Sequence, residues 1–270
     1  MDYADMSYNW TDAAERAKAA RAHTEKMASE FPNEIAYSVG MSKIYDDSKG
    51  EWKHEPRVVR RRPIVNVVDE DSVSAIFAVT SGKIAALNFS SFKNPGGKFL
   101  DGSRAQEESL CHESCLYNVL SEFDKSFYRA NRADTNSNLY RNRALYTPEV
   151  LFIHQSPHKI GKRIRHCDVI TCAAPNKRAA AHKIPITELS RKNSEALESR
   201  IKFILSIAEA NKVDTLVLGA YGCGVFGQDP IQVAVIFKEC LKEFDFRQVV
   251  FAIPNGNNGN LRAFRDVLFD

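Results

Sequence analysis

The sequence predicts an α/β fold in which a central sheet is flanked by helices, and three observations predict it. From residue 63 to the end, short apolar runs bounded by turn residues alternate with amphipathic stretches. Some runs, such as "DTLVLGA" at 214–220, stay apolar from Leu216 onward without alternation, as suits a strand buried on both faces. Apolar residues make up 44% of the 270, which is ample for a core of that kind.

The elements follow in order. "TDAAERAKAARAHTEKMASE", 11–30, has an acidic first turn, many alanines and apolar residues at helical spacing, with Thr11 or Asp12 as N-cap. The pattern loosens over 32–62, where Arg57, Arg60, Arg61 and Arg62 cluster as either a solvated edge or a polyanion contact. "PIVNVV" reads as a strand, "EDSVSAIFAVTSG" as a short helix ending at Gly82, and "KIAALNFSS" as a second strand. In "AQEESLCHESCLYNVLSEF", 105–123, Leu110, Leu116, Val119, Leu120 and Phe123 can share the face of one helix. Residues 123–143 are polar, rich in Asn and Arg, and read as a long surface segment. "EVLFIHQ", "CDVITCAAP", "DTLVLGA" and "QVVFAIP" are strand-like, and helices are expected over 187–212, 229–243 and 260–269. No repeat and no Gly/Ser- or Pro-rich linker divides the chain, so residues 1–62 are expected as a helical extension packed on a single domain of 63–270.

Composition narrows the function. A net charge of +3, with both signs mixed along the length, gives no general case for nucleic-acid binding. The N-terminus lacks the apolar core of a signal peptide, and no run approaches the roughly 18 apolar residues of a membrane span. The expectation is a cytoplasmic monomer without membrane attachment. The six cysteines form no CxxC pair and read as reduced, mostly buried thiols. Cys111, His112 and Cys115 lack a fourth ligand, so neither a metal nor a cofactor is expected. His154, His158 and His166 read as surface or core residues.

In α/β sheets, ligands gather beyond the carboxyl ends of the strands. Two unusual loops fall there. "AYGCGVFGQDP", 220–230, places Gly222, Gly224 and Gly227 ahead of a helix, a spacing that suits either a backbone cradle for phosphate or an ordinary tight turn. "NPGGKFLDGSRAQEESL", 94–110, follows a glycine bend with Glu107 and Glu108 at a helix start. Adjacent helical residues point about 100° apart, so the two carboxylates meet different surroundings. They serve either as dipole-complementing residues of a first turn or as acid–base groups in a cleft. Asp69 and Asp71, in "VVDEDS", are the candidates for adenine contact.

"NFSSFKNPGGKFLDGSRAQEESLCHESCLY", "VITCAAPN" and "LGAYGCGVFGQDP" resemble, in the same order, the signature segments of microbial-type poly(ADP-ribose) glycohydrolases, a branch of the macrodomain superfamily. The resemblance runs from about residue 10 to the C-terminus. Its most specific element is a glycine triplet, a spacer and Gln-Glu-Glu: here Gly96, Gly97, Lys98, then Gln106, Glu107 and Glu108. It implies a macrodomain-like three-layer α/β/α fold with a mixed sheet and an enzyme that hydrolyses the ribose–ribose O-glycosidic bond to release ADP-ribose without a metal. Glu108 is then the acid/base, Glu107 binds the terminal ribose, Gln106 orders the loop, Asn88 and Asn94 frame the turn, and Gly96 and Gly97 let backbone approach the sugar. Gly222, Cys223, Gly224, Val225, Phe226 and Gly227 wrap the diphosphate, with Phe226 against the distal ribose.

One residue departs from the pattern, Lys98 at the third glycine position. If that position needs positive φ or lies against the ligand, the chain is expected to bind ADP-ribose with little hydrolysis; if the side chain swings outward, it can pair with a substrate phosphate. A third reading has the protein removing ADP-ribose from modified nucleic acid or from another, small acceptor, with the Arg57–Arg62 cluster on the acceptor side.

Overall fold

Residues 12–50, 62–154, 163–256 and 259–269 are described by the computed structural model. In chain order they form α1 (Ala13–Glu30), α2 (Pro32–Met41), β1 (Lys43–Asp46), β2 (Ile64–Val68), α3 (Ser72–Ala78), β3 (Ile84–Phe89), α4 (Gln106–His112), α5 (Leu116–Glu122), α6 (Arg129–Ala133), β4 (Arg143–His154), β5 (Arg163–Cys172), α7 (Lys177–Ala180), α8 (Ile186–Ala210), β6 (Thr215–Leu218), α9 (Pro230–Cys240), β7 (Gln248–Ala252) and α10 (Asn260–Phe269). The strands make one sheet of order β1-β4-β5-β3-β6-β7-β2. The five from β5 to β2 run parallel, and β4 and β1 join antiparallel at one edge.

The twofold alternation of strand side chains divides the core into two layers. Ala85 and Leu87 of β3, Leu216 and Leu218 of β6, and Val249 and Phe251 of β7 pack against α8, α9 and α10. Their alternates, Ile84, Ala86, Val217, Val250 and Ala252, face α3, α4 and α5. Runs that stay apolar over consecutive positions are thereby explained: both faces of these strands are covered. No helix among the described residues is long and apolar enough to cross a membrane.

Several elements differ from expectation. The segment before residue 63 is more than a helical extension, because after α1 and α2 it supplies β1, paired with β4 from Lys43↔Tyr146 to Asp46↔Arg143. A four-residue strand carries too short an alternation to be read. Asp12, not Thr11, caps α1, its Oδ1 accepting from Ala14 N at 2.9 Å. The expected single helix over 105–123 is two, α4 and α5. Between them the backbone pairs with β4: Ile153 N donates to Glu113 O at 2.8 Å and Cys115 N to Leu151 O at 3.0 Å. Ser114 completes the break by donating to Leu110 O and accepting from Leu116 N. Residues 123–143 are not a surface segment, since Phe127, Tyr128 and Asn131 are buried beneath the loop that follows β3. Arg57, Arg60, Arg61 and His158 lie outside the described residues.

Phe251 packs its ring on Phe237 at 5.3 Å and on Phe264 at 5.4 Å, joining the sheet to α9 and α10. Phe251→Ala is expected to lower the unfolding free energy by about 3–5 kcal/mol, read from urea unfolding; a loss below ~1 kcal/mol would mean that this layer collapses onto the gap.

Candidate active site

Strand β3 ends at Phe89, and the chain turns there through 90–105 before α4 begins at Gln106. Gln106 ties the two ends of that loop together. Its Oε1 accepts from Phe89 N at 2.8 Å, while its Nε2 donates to Leu87 O at 2.9 Å and to Ser72 Oγ at 3.0 Å. The side chain continues the β3 ladder as a neighbouring strand would, so the first turn of α4 is fixed against the strand end.

Glu107 points inward and is only 3% exposed. Its Oε1 accepts from Asn88 Nδ2 at 3.2 Å and its Oε2 from Ser91 N at 2.7 Å. Burial pushes the Glu107 carboxyl up to about 8; the Ser91 and Asn88 hydrogen bonds pull it down, and the neighbouring Glu108 raises it again. Glu108, 6% exposed, accepts from Lys98 N at 3.0 Å through Oε1. Its Oε2 and Asn88 Oδ1 are buried acceptors with no hydrogen-bond partner among the described residues.

The glycine bend brings these groups together. Gly96 and Gly97 have φ of +64° and +63°. A Cβ on Gly97 would come within 2.7 Å of Glu108 Oε1 and 2.8 Å of Glu107 Oε2, so only a glycine fits between the carboxylates. A Cβ on Gly96 would strike the Tyr117 ring at 2.6 Å. Lys98 is different: its φ is −113° and its side chain is exposed, so the third position requires no glycine backbone. Asn94 sits in the turn, its carbonyl accepting from Gly97 N at 3.1 Å; Asn88 belongs to β3 and contacts Glu107 instead.

The second loop follows β6, the neighbour of β3. Gly222 and Gly227 have φ of +75° and +72°, and a Cβ on Gly222 would press on Ala174 and Gln228 at 2.8 Å. Asp229 caps α9 by accepting from Gln232 N. Val225 is exposed, and Cys223 is half-buried with its thiol pushed up to about 12, chiefly by burial, which leaves it a weak nucleophile. Phe226 packs edge-on against Tyr140, and Tyr140 stacks on Phe92 of the first loop with ring centroids 4.2 Å apart. Through these rings the two loops share one wall.

Sequence reasoning missed Phe92 and Tyr140, and also the buried amide pair of Gln228 and Asn193, which exchange hydrogen bonds at 2.9 and 2.8 Å while Gln228 holds Pro175 O at 2.7 Å. No spacing announces such a pair. Asp71 is taken by capping α3, accepting from Val73 N and Ser74 N, and Asp69 accepts from Asn255 N, joining the ends of β2 and β7. His154 donates to Glu113 at 2.6 Å and is raised by it. A cavity of about 200 Å³ lies between α1 and α4, lined by Arg16, Ser103, Arg104, Glu108, His112 and their neighbours. One of about 400 Å³, between β1 and α8, is remote from both loops.

Between about 4.5 and 8, folded Glu107 keeps a proton that the unfolded chain has released, so this residue's contribution to stability is full below that window and is lost as pH rises through it. Glu107→Gln removes the loss; its stability relative to wild type should climb between about pH 5 and 8 in urea titrations, and parallel pH profiles would refute the assignment. Gly97→Ala, at positive φ and against both carboxylates, is expected to cost about 1–3 kcal/mol, whereas Lys98→Gly, at ordinary φ, should cost no more than about 1 kcal/mol; equal effects on thermal unfolding would contradict this reading of the bend.

The microbial-type PARG (poly(ADP-ribose) glycohydrolase) catalytic-domain model matches residues 11–155, just over half of the chain. Among solved structures, the glycohydrolase of Thermomonospora curvata bound to the inhibitor ADP-HPD is similar over 93% of this chain and 98% of its own, at 28% identity and a TM-score of 0.77. That of Deinococcus radiodurans in complex with ADP-ribose is similar over 88% of this chain and 98% of its own, at 33% identity and a TM-score of 0.77. Comparison with curated proteins gives no match. The fold is macrodomain-like, and with Gln106, Glu107 and Glu108 seated on a glycine bend at the carboxyl end of β3, the chain belongs to the family of microbial-type poly(ADP-ribose) glycohydrolase catalytic domains.

Proposed function

We propose that this protein hydrolyses the ribose–ribose O-glycosidic bond of poly(ADP-ribose) and releases ADP-ribose, with Glu108 as the acid and base. The observation that carries the reading is the pair of buried carboxylates flanking Gly97, one held on both oxygens and one with an oxygen to spare. Relatives crystallised with ADP-ribose and with ADP-HPD support the ligand.

The residues divide the work by environment. Glu107, its carboxyl pushed up to about 8 by burial and fixed by Ser91 and Asn88, serves as a ribose ligand; its burial disfavours the charge that a nucleophile would need. Asn88 Oδ1 offers a second acceptor to a sugar hydroxyl. Glu108 gives a proton from Oε2 to the departing oxygen as the C1–O bond breaks and positive charge develops on the sugar. Water then adds to C1, and its proton returns to Glu108. The backbone of 222–227 holds the diphosphate ahead of the N-terminus of α9, and Phe226 lies against the distal ribose. Lys98 does not argue against turnover, because its backbone is unstrained and its side chain exposed. All six cysteines are free, which suits a cytoplasmic protein.

Release of ADP-ribose from purified polymer tests the proposal. Glu108→Ala should lower the rate by about 10²–10⁴-fold while calorimetry shows ADP-ribose binding retained. Tight binding without turnover in the wild type would leave a binding module and overturn the hydrolase.

A further inference from the structure

The cavity between α1 and α4 touches Glu108 on the side away from Glu107. Adjacent helical side chains diverge by about 100°. Glu107 turns toward Asn88 and Ser91, whereas Glu108 lines the cavity with His112, one turn further along α4, and with Ser103 and Arg104 of the preceding loop. Arg16 closes it from α1. The volume, about 200 Å³, falls below the roughly 300–1,000 Å³ of pockets that enclose a whole drug-sized ligand. It suits a part of one.

Two guanidinium groups, of Arg16 and Arg104, line it together with the carboxyls of Glu108 and Glu113. Arg16 Nε donates to Gly102 O at 2.6 Å, which anchors that side chain at the cavity wall. Arg104 is exposed and makes no hydrogen bond or ion pair among the described residues. The one further carboxylate, Glu113, is engaged by His154 at 2.6 Å. Glu108 itself, more than nine-tenths buried, keeps Oε2 without a partner. Two guanidinium groups on the wall of the cavity that Glu108 lines match a planar array of phosphate oxygens.

We propose that this cavity is the acceptor-side subsite, where Arg104 and Arg16 take a phosphate of the ADP-ribose unit that departs when the bond is cut. The inference rests on the hydrolase reading above. A leaving oxygen protonated by Glu108 must lie within hydrogen-bond reach of it, and whatever is bonded to that oxygen then extends along the Glu108 side. In poly(ADP-ribose) that group is an adenosine ribose carrying a diphosphate, so an anion follows the leaving oxygen at short range. The terminal ADP-ribose keeps the glycine loops; the arginines meet the next unit.

Two substrates separate the possibilities: poly(ADP-ribose), and ADP-ribose joined through C1 of its terminal ribose to p-nitrophenol, whose leaving group carries no phosphate. The ratio of kcat/KM for polymer over aryl glycoside should fall roughly tenfold or more in Arg104→Glu, the scale of one charged hydrogen bond. The loss should sit mainly in the polymer's KM, and Arg104→Lys should recover part of it. Binding to the inactive Glu108→Gln background, with and without Arg104→Glu, gives a readout free of turnover: affinity for polymer should drop while affinity for free ADP-ribose holds. A wild-type protein inert on both substrates would overturn the hydrolase reading and the subsite with it. Turnover of both with an unchanged ratio would overturn the subsite alone. An Arg104 effect confined to an ADP-ribosylated oligonucleotide would replace the polymer by nucleic acid as the source of the phosphate.

Discussion

The hydrogen bonds of Gln106 to the end of β3 are the constraint on which the site depends. One amide side chain occupies a backbone donor at Phe89 and a backbone acceptor at Leu87, the groups that a further strand would use. Because α4 starts at this residue, Glu107 and Glu108 inherit their positions from the strand and not from the intervening loop. The loop between, 90–105, then has its ends fixed and needs only to fold back. It does so through three glycines at positive φ, Gly96, Gly97 and Gly102, and the carboxylates accept hydrogen bonds from that returning backbone at Ser91 and Lys98. Strand, bend and helix start hold one another.

From this geometry comes the difference between two chemically identical neighbours. Glu107 is surrounded on both oxygens and placed where ionisation is costly, while Glu108 is held by a single backbone N–H. Environment can assign separate roles to paired carboxyls, and here the separation arises from helical geometry alone: one residue of rotation turns a side chain from the strand layer toward the α1 interface. Helix α1 is therefore part of the site's frame. His23 donates to Ser114 O at 2.9 Å and Asn118 donates to Thr24 O at 3.0 Å, so α1 is bonded both to the break between α4 and α5 and to α5 itself.

Much of this was legible in the sequence, for physical reasons that can be named. Strands β3, β6 and β7 were readable because burial on both faces makes them apolar at consecutive positions, with a single polar residue in each, and α10 because its amphipathic stripe is complete. The bend and the Gln-Glu-Glu triplet were readable because glycine at positive φ and carboxylates at a helix start are local requirements. What depended on distant partners was hidden. The stop between α4 and α5 is imposed by pairing with Leu151 and Ile153 of β4, and the short strand β1 exists only against β4. The effect of Lys98 on the bend stayed open in the sequence: a side-chain identity was visible, but a φ of −113° was not.

The wall joining the two loops shows the same dependence on distance. Asn136, Ser137, Asn138 and Tyr140 all lie at positive φ, and such conformations cost of order 1–3 kcal/mol each in residues other than glycine. They persist because the segment is pinned along its length: Asn138 exchanges bonds with Ala179 O and Asn176 N, buried Arg200 holds Asn142 and Ala173, and Tyr140 is stacked on Phe92. The stacking places a flat aromatic surface between the loop that carries the carboxylates and the loop that carries Phe226. A residue relaxed to ordinary φ at 140 would carry that ring elsewhere and separate the two halves of the pocket. The strained segment thus does for the wall what Gln106 does for the carboxylates, fixing by tertiary contact a position that local preference alone would not choose.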